Sequence, residues 1–245
     1  MEDTTAFKEN TQNQEQGGGT IHFNEVTKIY PPDTVALDNV DLEIAKGEFV
    51  SIVGKSGAGK TTLLKLLFAE EAPTEGSVFF AGYDVHELKG NDLPFHRRKI
   101  GTVFQDYRLL PSATVAENVA YVMEVMGAPD DIIKRDVKEV LEIVGLTHKM
   151  YQFPKQISDG ERQRIAIARA LIHRPQVILA DEPTASLDPY NKRDIMRLFQ
   201  KINDFGTTVL LATHDREIVN MLGRRVIVLD EGRVIRDDMH GRFVI

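Results

Sequence analysis

The stretch Gly54-Lys55-Ser56-Gly57-Ala58-Gly59-Lys60-Thr61 constrains this chain more than any other. It matches G-x-x-x-x-G-K-[ST], the pattern of a phosphate-binding loop, without a mismatch. Phe49-Val50-Ser51-Ile52-Val53 before it reads as a short buried strand, and Thr62-Leu63-Leu64-Lys65-Leu66-Leu67 after it has the apolar spacing of a helix packed on a sheet. Strand, loop and helix follow in the order the motif needs. Glycines at 54, 57 and 59 let the backbone wrap a polyphosphate closely, and some of them need positive φ. The amides of Gly54 through Thr62, Lys55, Ser56 and Ala58 included, then converge on phosphate oxygens at a helix N-terminus. Lys60 is expected to neutralise the terminal phosphates and the Thr61 hydroxyl to ligate Mg²⁺. The chain is expected to bind a nucleoside triphosphate.

A length of 245 residues allows one sizeable α/β core with a subdomain. The net charge of −7 argues against a protein built to coat nucleic acid, so no nucleic-acid partner is expected. With no cysteine, disulfides and thiolate chemistry are excluded. No apolar run approaches the roughly 20 residues of a membrane-spanning helix, and the N-terminus lacks the apolar segment of a signal peptide. Service to a membrane would require a partner.

Residues 1–19 are polar and hold one aromatic, Phe7; they read as a disordered tail ending in Gly17-Gly18-Gly19. The folded domain is expected over 20–245. Ile21, Phe23 and Val26 suggest a first strand, and Val40, Leu42 and Ile44 a second. Tyr30, in the apolar step Ile29-Tyr30-Pro31-Pro32, is either a packed aromatic or a platform for a base. Ser77 to Phe80 and Ile100 to Gln105 read as further strands, and the basic run His96-Arg97-Arg98-Lys99 between them as a solvated face.

Val115 to Met126 and Asp131 to Val144 carry helical apolar spacing, the second ended by Gly145. A helical subdomain over about 112–172 is therefore expected between strands of the main sheet. Ser158 and Glu161 fit a capping box opening another helix. Val177-Ile178-Leu179-Ala180 runs as a buried strand into Asp181 and Glu182, and Thr208 to Thr213 into His214. Ligands of parallel α/β sheets sit at that strand edge. Val226 to Leu229 and Arg233 to Ile235, around Asp230-Glu231-Gly232, read as a hairpin.

Together these motifs, in this order from about residue 20 to the C-terminal hairpin, resemble the nucleotide-binding subunits of ABC (ATP-binding cassette) systems. The resemblance implies an α/β P-loop fold with a mixed sheet core, an N-terminal antiparallel β portion and an inserted helical subdomain. It implies ATP and Mg²⁺ as ligands, with Tyr30 stacking on adenine, Gln105 contacting Mg²⁺, Asp181 closing the metal shell, Glu182 as general base and His214 near the γ-phosphate. Asp188 resembles the loop that meets a second subunit. The family's usual signature is Leu-Ser-Gly-Gly-Gln; here it is Ile157-Ser158-Asp159-Gly160-Glu161. Ser158 and Gly160 keep the hydroxyl and unhindered amide that reach a γ-phosphate. Asp159 places a carboxylate nearby: pointing away, it only adds a favourable charge at the helix N-terminus, and pointing in, it weakens ATP-driven closure and slows hydrolysis, which is expected to be retained. One phosphate loop and one signature per chain imply a homodimer closing around ATP.

Leu93 to Gly101, Val103 to Leu110 and Ala212 to Val219 resemble the family's bacterial cell-division branch. That implies an integral membrane partner of the FtsX type, docking near Gln105 and the helix from about Val115, and a place at the cytoplasmic face of the inner membrane. The alternative is the LolD or macrolide-exporter branch, which shares most of these motifs.

Overall fold

A computed structural model describes residues 21–90 and 92–243. The tail expected over 1–19, and the domain's expected start at residue 20, lie outside the described residues. Two sheets stack. Four strands pair antiparallel in the order β2-β1-β4-β5: β1 (Ile21–Tyr30), β2 (Thr34–Ile44), β4 (Glu75–Phe80) and β5 (Tyr83–Asp84). Six pair in the order β10-β9-β3-β8-β7-β6: β3 (Phe49–Val53), β6 (Ile100–Val103), β7 (Val177–Asp181), β8 (Thr208–Thr213), β9 (Arg225–Asp230) and β10 (Arg233–Asp238). All these are parallel except β10, the antiparallel second arm of the C-terminal hairpin. The sheet core is mixed, as expected.

Parallel strands covered on both faces need apolar side chains in both directions, and alternation sorts them into two cores. Val177 and Leu179 of β7 point into a core shared with the antiparallel sheet and helix α1 (Lys60–Leu67), whose Leu63, Leu64, Leu66 and Leu67 are buried. Each such leucine contributes roughly 1.5–3 kcal/mol of burial. Ile178 and Ala180 point the other way, toward α3 (Val115–Val125), α4 (Asp130–Ile143), α5 (Asp159–Leu171) and α6 (Pro189–Asp204). Of these, α3 to α5 lie in the chain between β6 and β7, the inserted helices expected from the sequence.

The basic run at 96–99 is not a solvated face. His96 closes helix α2 (Asp92–Arg97) and is 1% exposed. Its Nε2 donates to Leu67 O at 2.8 Å, so its Nδ1 accepts the Tyr83 hydroxyl at 3.0 Å. Arg97 donates to the carbonyls of Phe68 and Ala69, and Lys99 Nζ lies 4.8 Å from the Tyr83 ring centroid. These residues satisfy the orphan carbonyls where α1 ends. Helix α7 (Arg216–Leu222) was not expected; Asp215 caps it by accepting from Glu217 N and Ile218 N.

Candidate active site

Strands β3, β8, β7 and β6 are consecutive neighbours, so the loops that follow them meet along one edge. The phosphate loop follows β3, His214 follows β8, Asp181 ends β7 with Glu182 next to it, and Gln105 follows β6. They line one cleft of about 1130 Å³. This is the carboxyl-end crevice of a parallel sheet.

The loop's glycines divide in their reasons. Gly57 has φ +80°, and a Cβ there would point into open space. Gly59 has φ +103°, and its Cβ would stand 2.4 Å from the carbonyl oxygen of Ala36 in β2. Only the first leaves room for a ligand, as the sequence suggested; the second is demanded by the neighbouring sheet. Gly59 also caps α1 without a side-chain bond, and no acidic residue occupies that helix's first turn. The helix therefore presents a bare, electropositive N-terminus. Lys60 is 7% exposed, its ammonium donating to the carbonyls of Gly54 at 2.9 Å and Lys55 at 3.0 Å.

Across the cleft, the Thr61 hydroxyl donates to Asp181 Oδ2 at 2.8 Å, while Asp181 Oδ1 is buried without a partner. Burial pushes the Asp181 carboxyl above its ordinary range, against the Thr61 bond, and the neighbouring Glu182 charge pushes it the same way. A buried anionic oxygen beside a hydroxyl, with the Gln105 side chain on the same cleft, suits a hard cation that takes oxygen ligands. No group of three or more histidine or carboxylate side chains among the described residues is placed to hold a metal ion by itself. An ion held here would keep water or phosphate in its shell, as magnesium does.

Glu182 stands just past the strand at φ +46°, an uncommon conformation for a non-glycine residue. Its amide still pairs with Ala212 O at 2.9 Å. The turn aims the carboxylate at β8, where Oε1 meets His214 Nδ1 at 2.7 Å and Oε2 accepts the Thr213 hydroxyl at 3.2 Å. Two carboxylates so placed can divide between holding a cation and taking a proton from water.

The other expected residues lie elsewhere. Ala58 is buried beneath the loop, and Tyr30 ends β1 outside the cleft lining, with Lys28 Nζ 5.0 Å from its ring centroid. Ser158 caps α5 in the expected box: its Oγ accepts from Glu161 N, and Glu161 Oε2 accepts from Ser158 N at 2.9 Å. Asp188 caps α6 through Tyr190 N and Asn191 N. Ser158, Gly160 and Asp188 do not line the cleft, but Asp159 does. Its carboxylate is held by Arg162 Nη1 at 2.9 Å.

Sequence reasoning missed Thr213, although it directly precedes His214, and it missed Arg169. From α5, Arg169 donates to the carbonyls of Tyr107 and Arg108 in the loop that carries Gln105. Tyr107 and Arg108 both have positive φ, at +56° and +46°. Only a contact 61 residues long in sequence reveals that grip.

The family model described as ABC transporter matches residues 37–185, more than half of the chain. The cell division ATP-binding protein FtsE of Bacillus subtilis is 47% identical over 91% of this chain and 98% of its own length. Its counterpart in Mycobacterium tuberculosis is 50% identical over 90% and 96%. Among solved structures, the dimeric ATP-binding cassette MJ0796, in a post-hydrolysis state bound to ADP and Pi, superposes with a TM-score of 0.81 at 38% identity, covering 91% of this chain and all of that one. CbiO1 of Clostridium perfringens gives 0.83 at 32%, covering 91% and 89%. By family match, relatives and fold alike, this protein belongs to the ABC transporter family and is built as its ATP-binding, ATP-hydrolysing cassette.

Proposed function

We propose that this protein is the ATPase subunit of an ABC complex in bacterial cell division and cell-wall remodelling. Two copies close around ATP, and the pair couples hydrolysis to an integral membrane partner resembling FtsX at the cytoplasmic face of the inner membrane. The names of the relatives support the cell-division assignment, and the dimeric cassette of similar fold supports the pairing. No helix among the described residues is long and apolar enough to cross a membrane, which leaves that task to a partner.

The observation that carries the chemistry is the pair of contacts made by neighbouring carboxylates at the end of β7, Asp181 to Thr61 of α1 at 2.8 Å and Glu182 to His214 after β8 at 2.7 Å, beside the phosphate loop. Phosphoryl transfer needs charge neutralisation and an oriented water more than covalent help. Lys60 exchanges its loop carbonyls for phosphate oxygens. Thr61, Asp181 and Gln105 would hold Mg²⁺, which supplies further neutralisation of the triphosphate. Glu182 accepts the attacking water's proton, and His214 fixes that carboxylate. Tyr30 stacks on the base beyond the phosphates, while Ser158 and Gly160 serve the nucleotide held by the other copy, met along the Asp188 loop.

We assign 20–245 to one cassette domain, with a helical subdomain over about 112–172. A groove of about 520 Å³ beside the Gln105 loop, with Tyr121, Val122, Val125 and Met126 among its apolar lining and Arg97, Arg98, Arg108 and Arg169 among its basic lining, would receive the partner's cytoplasmic helix. Val125 there is 66% exposed.

The test is phosphate release and assembly state. Wild type is expected to hydrolyse ATP; Glu182→Gln is expected to fall to background and to run as a dimer with saturating ATP. A Glu182→Gln protein that turns over at the wild-type rate, or stays monomeric, defeats the proposal. Co-purification of a lipoprotein-releasing transporter in place of an FtsX-like protein would overturn the cell-division assignment alone.

A further inference from the structure

Gly160 lies in the first turn of α5 and is buried. A Cβ on it would stand 2.5 Å from Asn191 Oδ1 and 2.7 Å from Asn191 Cγ. Ordinary contacts to a methyl carbon are about 3.5 Å or more, so alanine does not fit while Asn191 stays in place. Asn191 is not free to step aside. Its amide N donates to Asp188 Oδ1 at 3.0 Å, and its side-chain Nδ2 donates to Asp188 Oδ2 at 2.5 Å. Both bonds hold the Asp188 carboxyl below its ordinary range. One turn further along, Arg164 of α5 pairs with Asp194 of α6 at 3.1 Å. That pair keeps the two helices from opening to relieve a clash.

We infer that Asn191 is a positioning residue: through its contact with Gly160 it sets where the signature segment stands relative to the Asp188 loop of the same chain. Position 160 is then glycine because of a neighbour in its own chain, not only because a phosphate must approach it. Signature segment and Asp188 loop move as one body. The functional half of this inference rests on the proposed pairing, in which Ser158 and Gly160 serve the nucleotide of the second copy.

A double-mutant cycle tests it on the full-length protein, read by thermal melting without nucleotide and by steady-state ATP hydrolysis. Gly160→Ala is expected to lower the melting midpoint by about 4–8 °C and turnover about tenfold. Asn191→Ala, leaving a gap in place of a stop, is expected to lower turnover about threefold with KM for ATP unchanged. In the double variant the new methyl occupies the space left by the amide, so the midpoint returns to that of Asn191→Ala alone and turnover to within about twofold of it. A double variant as unstable as Gly160→Ala overturns the contact. Recovery of the midpoint without recovery of turnover overturns the positioning role. Failure of the proposed pairing would show separately, as a Glu182→Gln protein that ATP leaves monomeric.

Discussion

Two helices in this protein begin at the motifs proposed to serve phosphate, and they begin in opposite ways. Helix α1 starts at Gly59 with no side-chain cap and no acidic residue in its first turn. Helix α5 starts at Ser158 with a full capping box and carries Asp159 and Glu161 in its first turn. The first has its amides and positive dipole end open. The second has one first-turn amide, that of Glu161, taken by Ser158 Oγ, and carries two carboxylates beside its positive end. A helix end that must bind an anion by itself is left bare, whereas one that acts only when a second copy brings the anion can remain capped meanwhile. On the proposed pairing, tight nucleotide binding would belong to the phosphate loop, and the signature segment would add a weaker, conditional contact.

The largest effect expected from that contrast is at Lys60. Lys60→Ala should weaken ATP binding by about a hundredfold, as when a buried contact between charges worth about 3 kcal/mol is lost. An unchanged affinity in a nucleotide titration would erase the distinction between the two ends. A smaller effect is expected at Asp159, where glycine removes a carboxylate facing the cleft. Turnover should rise about twofold to fivefold, the kinetic equivalent of about 0.3–1 kcal/mol for a charge near a helix terminus. A flat rate would mean that Arg162 already cancels that charge.

The smallest is at Glu161. Glu161→Ala removes half of the capping box, worth about 1 kcal/mol, and should lower the melting midpoint by about 2–4 °C. The bonds from Ser158 hold the Glu161 carboxyl below its ordinary value of 4.5, so its stabilisation is present above that pH and fades as pH falls through the lowered value. Wild type and variant should therefore converge in melts taken well below pH 4.5.

Both helix starts were legible in the sequence, because a phosphate loop and a capping box are local patterns a few residues long. The strand ends carrying Asp181, Glu182 and His214 were legible for a similar reason, each being a buried run that stops at a polar residue. What escaped depends on neighbours far along the chain. His96 and Arg97 read as solvent-facing because the carbonyls they satisfy, from Leu67 to Ala69, lie about 29 residues earlier. The need for glycine at 59 was read as room for ligand, whereas β2 imposes it through Ala36. Tyr30 stayed ambiguous because spacing does not say which side of a strand end meets a base.

The fork of Arg169 has a mechanical meaning. A planar guanidinium gripping two successive carbonyls resists twisting as well as pulling, which a lysine's single pivot would not. The helix that opens at Ser158 is thus hooked, about three turns later, into the loop that bears Gln105. A load on that loop therefore has a direct mechanical path into the last turns of α5, beside the cleft that Gln105 lines.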